Sequence, residues 1–259
     1  MRGIMRTPIT LFLLSAVVSP ALALTPEEVT SLVKTIDERQ RSPGDFKGSC
    51  YIESKRKDKS DLIFESVVYR RDEQEKFLFL VLKPSTDLGK GWLRVDKNLF
   101  LYEPAAGKWE RRTERDRIAN TDTRRSDLDA SHFARDFDAV YKGEETLGKI
   151  KAHHLELKAK AGVEVAYPRI DLWAAVENGN LMKELDYGES GKLMRSIFYP
   201  KWGKSFSESK KAEVYYPKEI RIYDELEPGS STTVQLDKIE LTPLDPNIFT
   251  KAWIESKSK

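Results

Sequence analysis

Apolar residues recur at helical spacing near the start of the chain and at alternate positions through most of its remaining length. Val29, Leu32, Val33 and Ile36 fall three or four residues apart, so they line one face of a helix. Thr25-Pro26-Glu27-Glu28 supplies its start: the Thr25 hydroxyl can cap, Pro26 suits the first turn and Glu28 completes a capping box. Ser42-Pro43-Gly44-Asp45 stops the helix after Gln40. From Phe46 the period becomes two. The alternation predicts strands over 46–55, 62–71, 76–83, 91–96, 99–103 and 108–112, then over 139–145, 152–160, 169–175, 181–187, 193–199, 214–223 and 232–241. Short polar or Gly/Pro turns separate them, which favours antiparallel hairpins over crossover helices. So many strands in one run predict a mainly β (α+β) chain, built as a single curved antiparallel sheet or an incomplete barrel.

Two stretches break the pattern. Residues 113–138 are polar and charged, with Leu128 and Phe133 in a short helix or ordered loop. Asp245-Pro246-Asn247-Ile248-Phe249 leads through Trp253 into a short terminal helix pressed onto the sheet. A curved sheet must have its inner face covered, and these helical segments are the available cover. The run Phe77-Leu78-Phe79-Leu80-Val81-Leu82 is apolar on both faces, unlike a half-solvated strand. Either it is covered on both sides, or one face lines an apolar cavity. Trp92-Leu93 and Leu99-Phe100-Leu101-Tyr102 repeat the feature with large aromatics, which makes Phe77, Phe79, Val81, Trp92, Leu93, Phe100 and Tyr102 candidate cavity-lining residues.

The first residues change the picture of compartment. Arg2 and Arg6, a short apolar run over 9–18 and Ala21-Leu22-Ala23 read as a secretory signal peptide cleaved after Ala23, leaving residues 24–259 as one domain. The apolar run is too short for a spanning helix, which needs ~20 residues. The residue directly after the cleavage site is Leu24, not a cysteine that could carry a lipid. Charged residues make up 33% of the chain with a net charge of +2, but the signs are interleaved, so nucleic acid is not an expected partner. Cys50 is the only cysteine, so no internal disulfide can form.

Catalytic and metal-binding motifs are sparse. His132 lies near Asp127, Asp129 and Asp136, yet without a second histidine at ligand spacing; a solvated loop with a capping carboxylate fits better than a metal site. His153 and His154 are neighbours on a strand and point to opposite faces. Neither a nucleophile elbow nor a phosphate loop is present, and Cys50 reads as a buried small residue. No metal, cofactor or catalytic residue is expected.

The order of several short motifs resembles the periplasmic outer-membrane lipoprotein-sorting proteins, in particular the LolA-like branch. The matching residues are Trp92-Leu93, Leu99-Phe100-Leu101-Tyr102-Glu103-Pro104, Lys108-Trp109-Glu110-Arg111-Arg112, Ser126-Asp127-Leu128, Tyr141-Lys142-Gly143-Glu144, Ile170-Asp171-Leu172-Trp173 and Asp245-Pro246-Asn247-Ile248-Phe249-Thr250. The resemblance implies an unclosed antiparallel barrel with a helical lid over an apolar cavity. Its function would be a periplasmic carrier of the acyl chains of a lipoprotein or lipid, taking cargo from an inner-membrane transporter and passing it to an outer-membrane acceptor. Arg111 and Arg112 match a basic pair of the family and could hold the lid or meet a lipid phosphate; a solvated rim is the alternative. An adaptor that docks to a membrane transporter is the rival function, and a lipid-directed enzyme a more distant one.

Overall fold

The computed structural model describes residues 24–41, 44–95, 98–112, 121, 131–208 and 210–258. The expected signal peptide, Ser126-Asp127-Leu128 and Asp129 lie outside the described residues. Helix α1 (Pro26–Gln40) begins as its sequence dictates. The Glu28 amide donates to the Thr25 hydroxyl at 3.3 Å, and the Thr25 amide donates to the Glu28 carboxylate at 2.8 Å. Val29, Val33 and Ile36 are its buried face.

The described residues then form thirteen strands: β1 (Asp45–Lys55), β2 (Leu62–Arg71), β3 (Lys76–Lys83), β4 (Gly91–Val95), β5 (Asn98–Glu103), β6 (Lys108–Arg112), β7 (Phe137–Leu147), β8 (Ile150–Ala159), β9 (Arg169–Ala175), β10 (Leu181–Tyr187), β11 (Leu193–Ser207), β12 (Ala212–Asp224) and β13 (Ser231–Glu240). All pairings are antiparallel, in the order β6-β5-β4-β3-β2-β1-β13-β12-β11-β10-β9-β8-β7, so two meanders meet at a β1–β13 seam. The sheet is not closed: β6 and β7 are its two edges. This is the expected mainly β, incomplete-barrel fold. Strand β11 runs well past the expected end at Tyr199, through Pro200 and Gly203. Register shifts between Phe198 and Trp202 spare the proline a ladder hydrogen bond, and Gly203 lets the Tyr216 ring lie directly on the backbone, where a Cβ would collide.

Period two sorts the side chains onto two faces. On the inner face, Phe46, Ile52, Val68, Phe77, Phe79, Val81, Trp92 and Leu101 form one core, while α1, Phe133, Phe137, Leu155, Ile170 and Leu172 form a second. The short helix α2 (Phe133–Asp136) and α1 are therefore the inner cover. The terminal segment forms a 3-10 turn at Pro246–Phe249 and helix α3 (Lys251–Lys257), but it covers the outer face, where Phe249 and Ile254 bury Leu78, Leu80, Leu93 and Tyr102. The two-sided apolar run of β3 thus packs under α3 on one side and within the inner core on the other. No helix among the described residues is long and apolar enough to cross a membrane.

Candidate ligand cavity

A cavity of about 390 Å³ opens between the inner face of the sheet and its helical cover. Its apolar wall comes from strands far apart in sequence: Phe46, Cys50 and Ile52 on β1, Val68 on β2, Phe77 and Phe79 on β3, Ile197 on β11, Ile220 and Ile222 on β12, and Val234 and Leu236 on β13. Residues of β3 and β12 can share a cavity only because the sheet curls around it. Phe133, Phe137 and Tyr167 close it from above.

The expected lining residues divide by strand geometry. Phe77 and Phe79 are on the wall. Val81 and Trp92 stand on the same face in the supporting core, with Trp92 edge-on to Phe79 at 5.5 Å. Leu93 and Tyr102 point the other way, under α3, and the Phe100 ring carries the Lys251 ammonium 4.3 Å above it. Trp92 and Leu93 could not both face the cavity, since adjacent strand residues project oppositely. The same rule separates the arginine pair on β6. Arg111, opposite Phe100, projects outward, and Arg112, opposite Leu99, projects inward and binds Glu110 at 2.8 Å.

The cover is clasped by one carboxylate. Asp37, buried on α1, accepts from the amides of Phe133 at 2.8 Å and Ala134 at 2.9 Å and from the Ser131 hydroxyl at 2.6 Å. At the other end of α2, the Lys160 ammonium donates to the carbonyls of Ala134 and Arg135. Arg41 reaches the Ser131 carbonyl and the His132 ring. Burial, reinforced by the positive charges of Arg135 and Arg41, holds the His132 pKa below its ordinary value. Its imidazole is therefore neutral at neutral pH. His153 and His154 lie on opposite faces, and His154 stacks on Trp173 at 4.2 Å while Glu145 bonds both rings. Burial pushes the Cys50 thiol up to about 12, against a smaller opposing effect of Ser66, so the cavity wall holds it protonated at neutral pH.

One part of the wall was not anticipated. Glu184 and Asp186 on β10 are buried and open onto the cavity. The Tyr199 hydroxyl donates to Glu184 at 3.1 Å, Arg195 approaches Asp186 at 3.7 Å, and an Arg195 nitrogen donates to the Tyr167 hydroxyl at 3.4 Å. In the sequence the only cue is that Asp186 and Arg195 stand across one hairpin as an opposite-charge pair.

No curated protein matches the chain. Several solved structures share its fold. A LolA superfamily protein from Nitrosomonas europaea superposes with a TM-score of 0.71 at 20% identity, covering 87% of this chain and 98% of that one. A DUF1329 family protein from Desulfovibrio piger gives 0.77 at 18% identity, covering 88% and 98%. A domain described as an outer membrane lipoprotein-sorting protein domain, from Vibrio parahaemolyticus, gives 0.76 at 15% identity, covering 89% and 100%. A family model described as "Uncharacterized protein" matches residues 73–256. The chain belongs to the family of that model, and its fold is LolA-like.

Proposed function

We propose that residues 24–259 form one carrier domain that shields the acyl chain of a lipoprotein or lipid in this cavity within the periplasm, after removal of residues 1–23. The observation that supports it is the covered cavity of about 390 Å³, walled mainly by aromatic and branched apolar side chains on a LolA-like fold. Ten methylene groups taken out of water are worth ~8 kcal/mol before ordering costs, so an acyl chain needs no catalytic group to be held. The volume lies at the low end of the ~300–1,000 Å³ typical of sites for one small ligand, which suits one chain better than several. The mechanism is binding and handover, with no bond made or broken. Cargo arrives from an inner-membrane transporter and leaves to an outer-membrane acceptor when α1 and α2 part.

Native mass spectrometry of protein purified from its own periplasm tests this. A co-purifying lipid and an N-terminus at Leu24 are expected. A ligand-free protein that also fails to take up a neutral fluorescent apolar probe would refute the carrier reading.

A further inference from the structure

Only the middle of the inner face is open. Towards β4 and β5, Trp92, Leu99 and Leu101 are packed into the first core and do not reach the cavity. Towards β8–β10, Leu155, Leu172 and Leu181 are packed into the second core with Val33 and Ile36 of α1, and they do not reach it either. What is left between these two filled ends is a slot of about 390 Å³. Resting on the carrier reading, we propose that the cargo is a lipid with a single acyl chain of about sixteen carbons, and not a lipid or lipoprotein anchor with two or three chains.

The chain length follows from the volume. An apolar cavity of about 150 Å³ takes up one benzene, roughly 25 Å³ for each carbon. At that ratio about 390 Å³ holds about sixteen carbons. Two chains of that length would need about 800 Å³ and three about 1,200 Å³. Repacking the two ends does not supply the difference, because close-packed side chains do not admit even one extra methylene without strain.

Lifting the cover is the other route to more space, and the cover is tied down. Arg39 on α1 donates to the Asn178 carbonyl at 3.3 Å, and its guanidinium lies 4.1 Å above the ring of Tyr215, which borders the cavity. Asp37 and Lys160 hold α2 from either end. A second chain held under a raised cover would break these contacts and keep one flank in water, so it would lose much of the burial that makes an acyl chain bind. One chain fits with every tie intact.

Two measurements on the intact protein test this. In the first, lysophosphatidylcholines from dodecanoyl to docosanoyl, each below its critical micelle concentration, displace N-phenyl-1-naphthylamine. Affinity should rise about fourfold with each methylene up to about sixteen carbons and then level off. Phe79→Ala removes a ring from the wall and should move that limit to a longer chain; should the variant not fold, the wild-type series alone decides. In the second, the protein is incubated with dihexadecanoylphosphatidylcholine vesicles that carry hexadecanoyl-lysophosphatidylcholine as a minor component, and native mass spectrometry reads the bound lipid. The one-chain lipid should be found and the two-chain lipid should not. Affinity that keeps rising to the docosanoyl chain, a bound two-chain lipid, a spectrum without the one-chain lipid, or a bound probe that no lysophosphatidylcholine displaces overturns this proposal and leaves the carrier reading standing. A protein that takes up neither the probe nor either lipid overturns both.

Discussion

Phe79 is both core and wall: it is 2% exposed, braced edge-on by Trp92, and still borders the cavity. A charge there has no partner, so Phe79→Glu should abolish uptake of a fluorescent acyl probe and lower stability by about 3–5 kcal/mol, read by denaturant unfolding. Equal binding by a folded variant would remove β3 from the site. Cys50 offers a gentler check. With its thiol pushed up to about 12, labelling by a disulfide reagent should be slow in the native protein and fast after unfolding. Phe77 and Phe79 were legible because their run is apolar on both faces. Ile220, Ile222, Val234 and Leu236 were not, since period-two alternation looks the same whether a face meets a filled core or a cavity. Glu184 and Asp186 were hidden by their charge, which carries no apolar signal, whereas the register places both on the cavity face.

Elements move only as far as their anchors let them. The α1–α2 clasp rests on Asp37, so Asp37→Ala should leave two amides and a hydroxyl without their acceptor and cost about 1–3 kcal/mol. The sharper readout is kinetic: probe release should accelerate, because the cover is loosened while the apolar wall is untouched. Release at the wild-type rate would mean that α2 is not the gate. The segment entering α3 is anchored differently. Asp45 binds the Arg71 guanidinium at 2.6 Å and the Leu244 amide, while Arg71 donates to the Leu244 carbonyl. Burial raises the Asp45 pKa, but those bonds outweigh it and hold the carboxyl below its usual range. A depressed carboxylate stabilises the fold above its unfolded pKa, and the contribution fades as pH falls through the folded value. Asp45→Asn should therefore destabilise at neutral pH and match wild type in strong acid, measured by urea unfolding across pH. Strands, turns and the capping box could be read from local pattern and turn chemistry alone. The side of the sheet taken by α3 could not, because Ile248, Phe249 and Trp253 fit either apolar face of β3.

For the whole molecule, occupancy and stability are linked. A ligand at about a hundred times its dissociation constant adds ~2.7 kcal/mol, which in a chain of this size raises the melting temperature by roughly 5–10 °C. A bound ligand that leaves melting unchanged would have to lie outside the cavity. The strand order has a separate consequence, for how the chain reaches this structure. Within each meander, neighbouring strands are consecutive, so β1–β6 and β7–β13 can assemble from local hairpins. The seam is different: Lys55 faces Ser231 and Ile52 faces Val234, pairings that span most of the chain. Such non-local closure is slow, because chain entropy is lost before the contact repays it. During refolding, the β1 amides that bond β2 should gain protection from hydrogen exchange before those that bond β13. Since the cavity wall straddles that seam, with Ile52 on one side and Val234 on the other, the binding site would be the last part of the protein to exist, and no cargo could be held by a half-made chain.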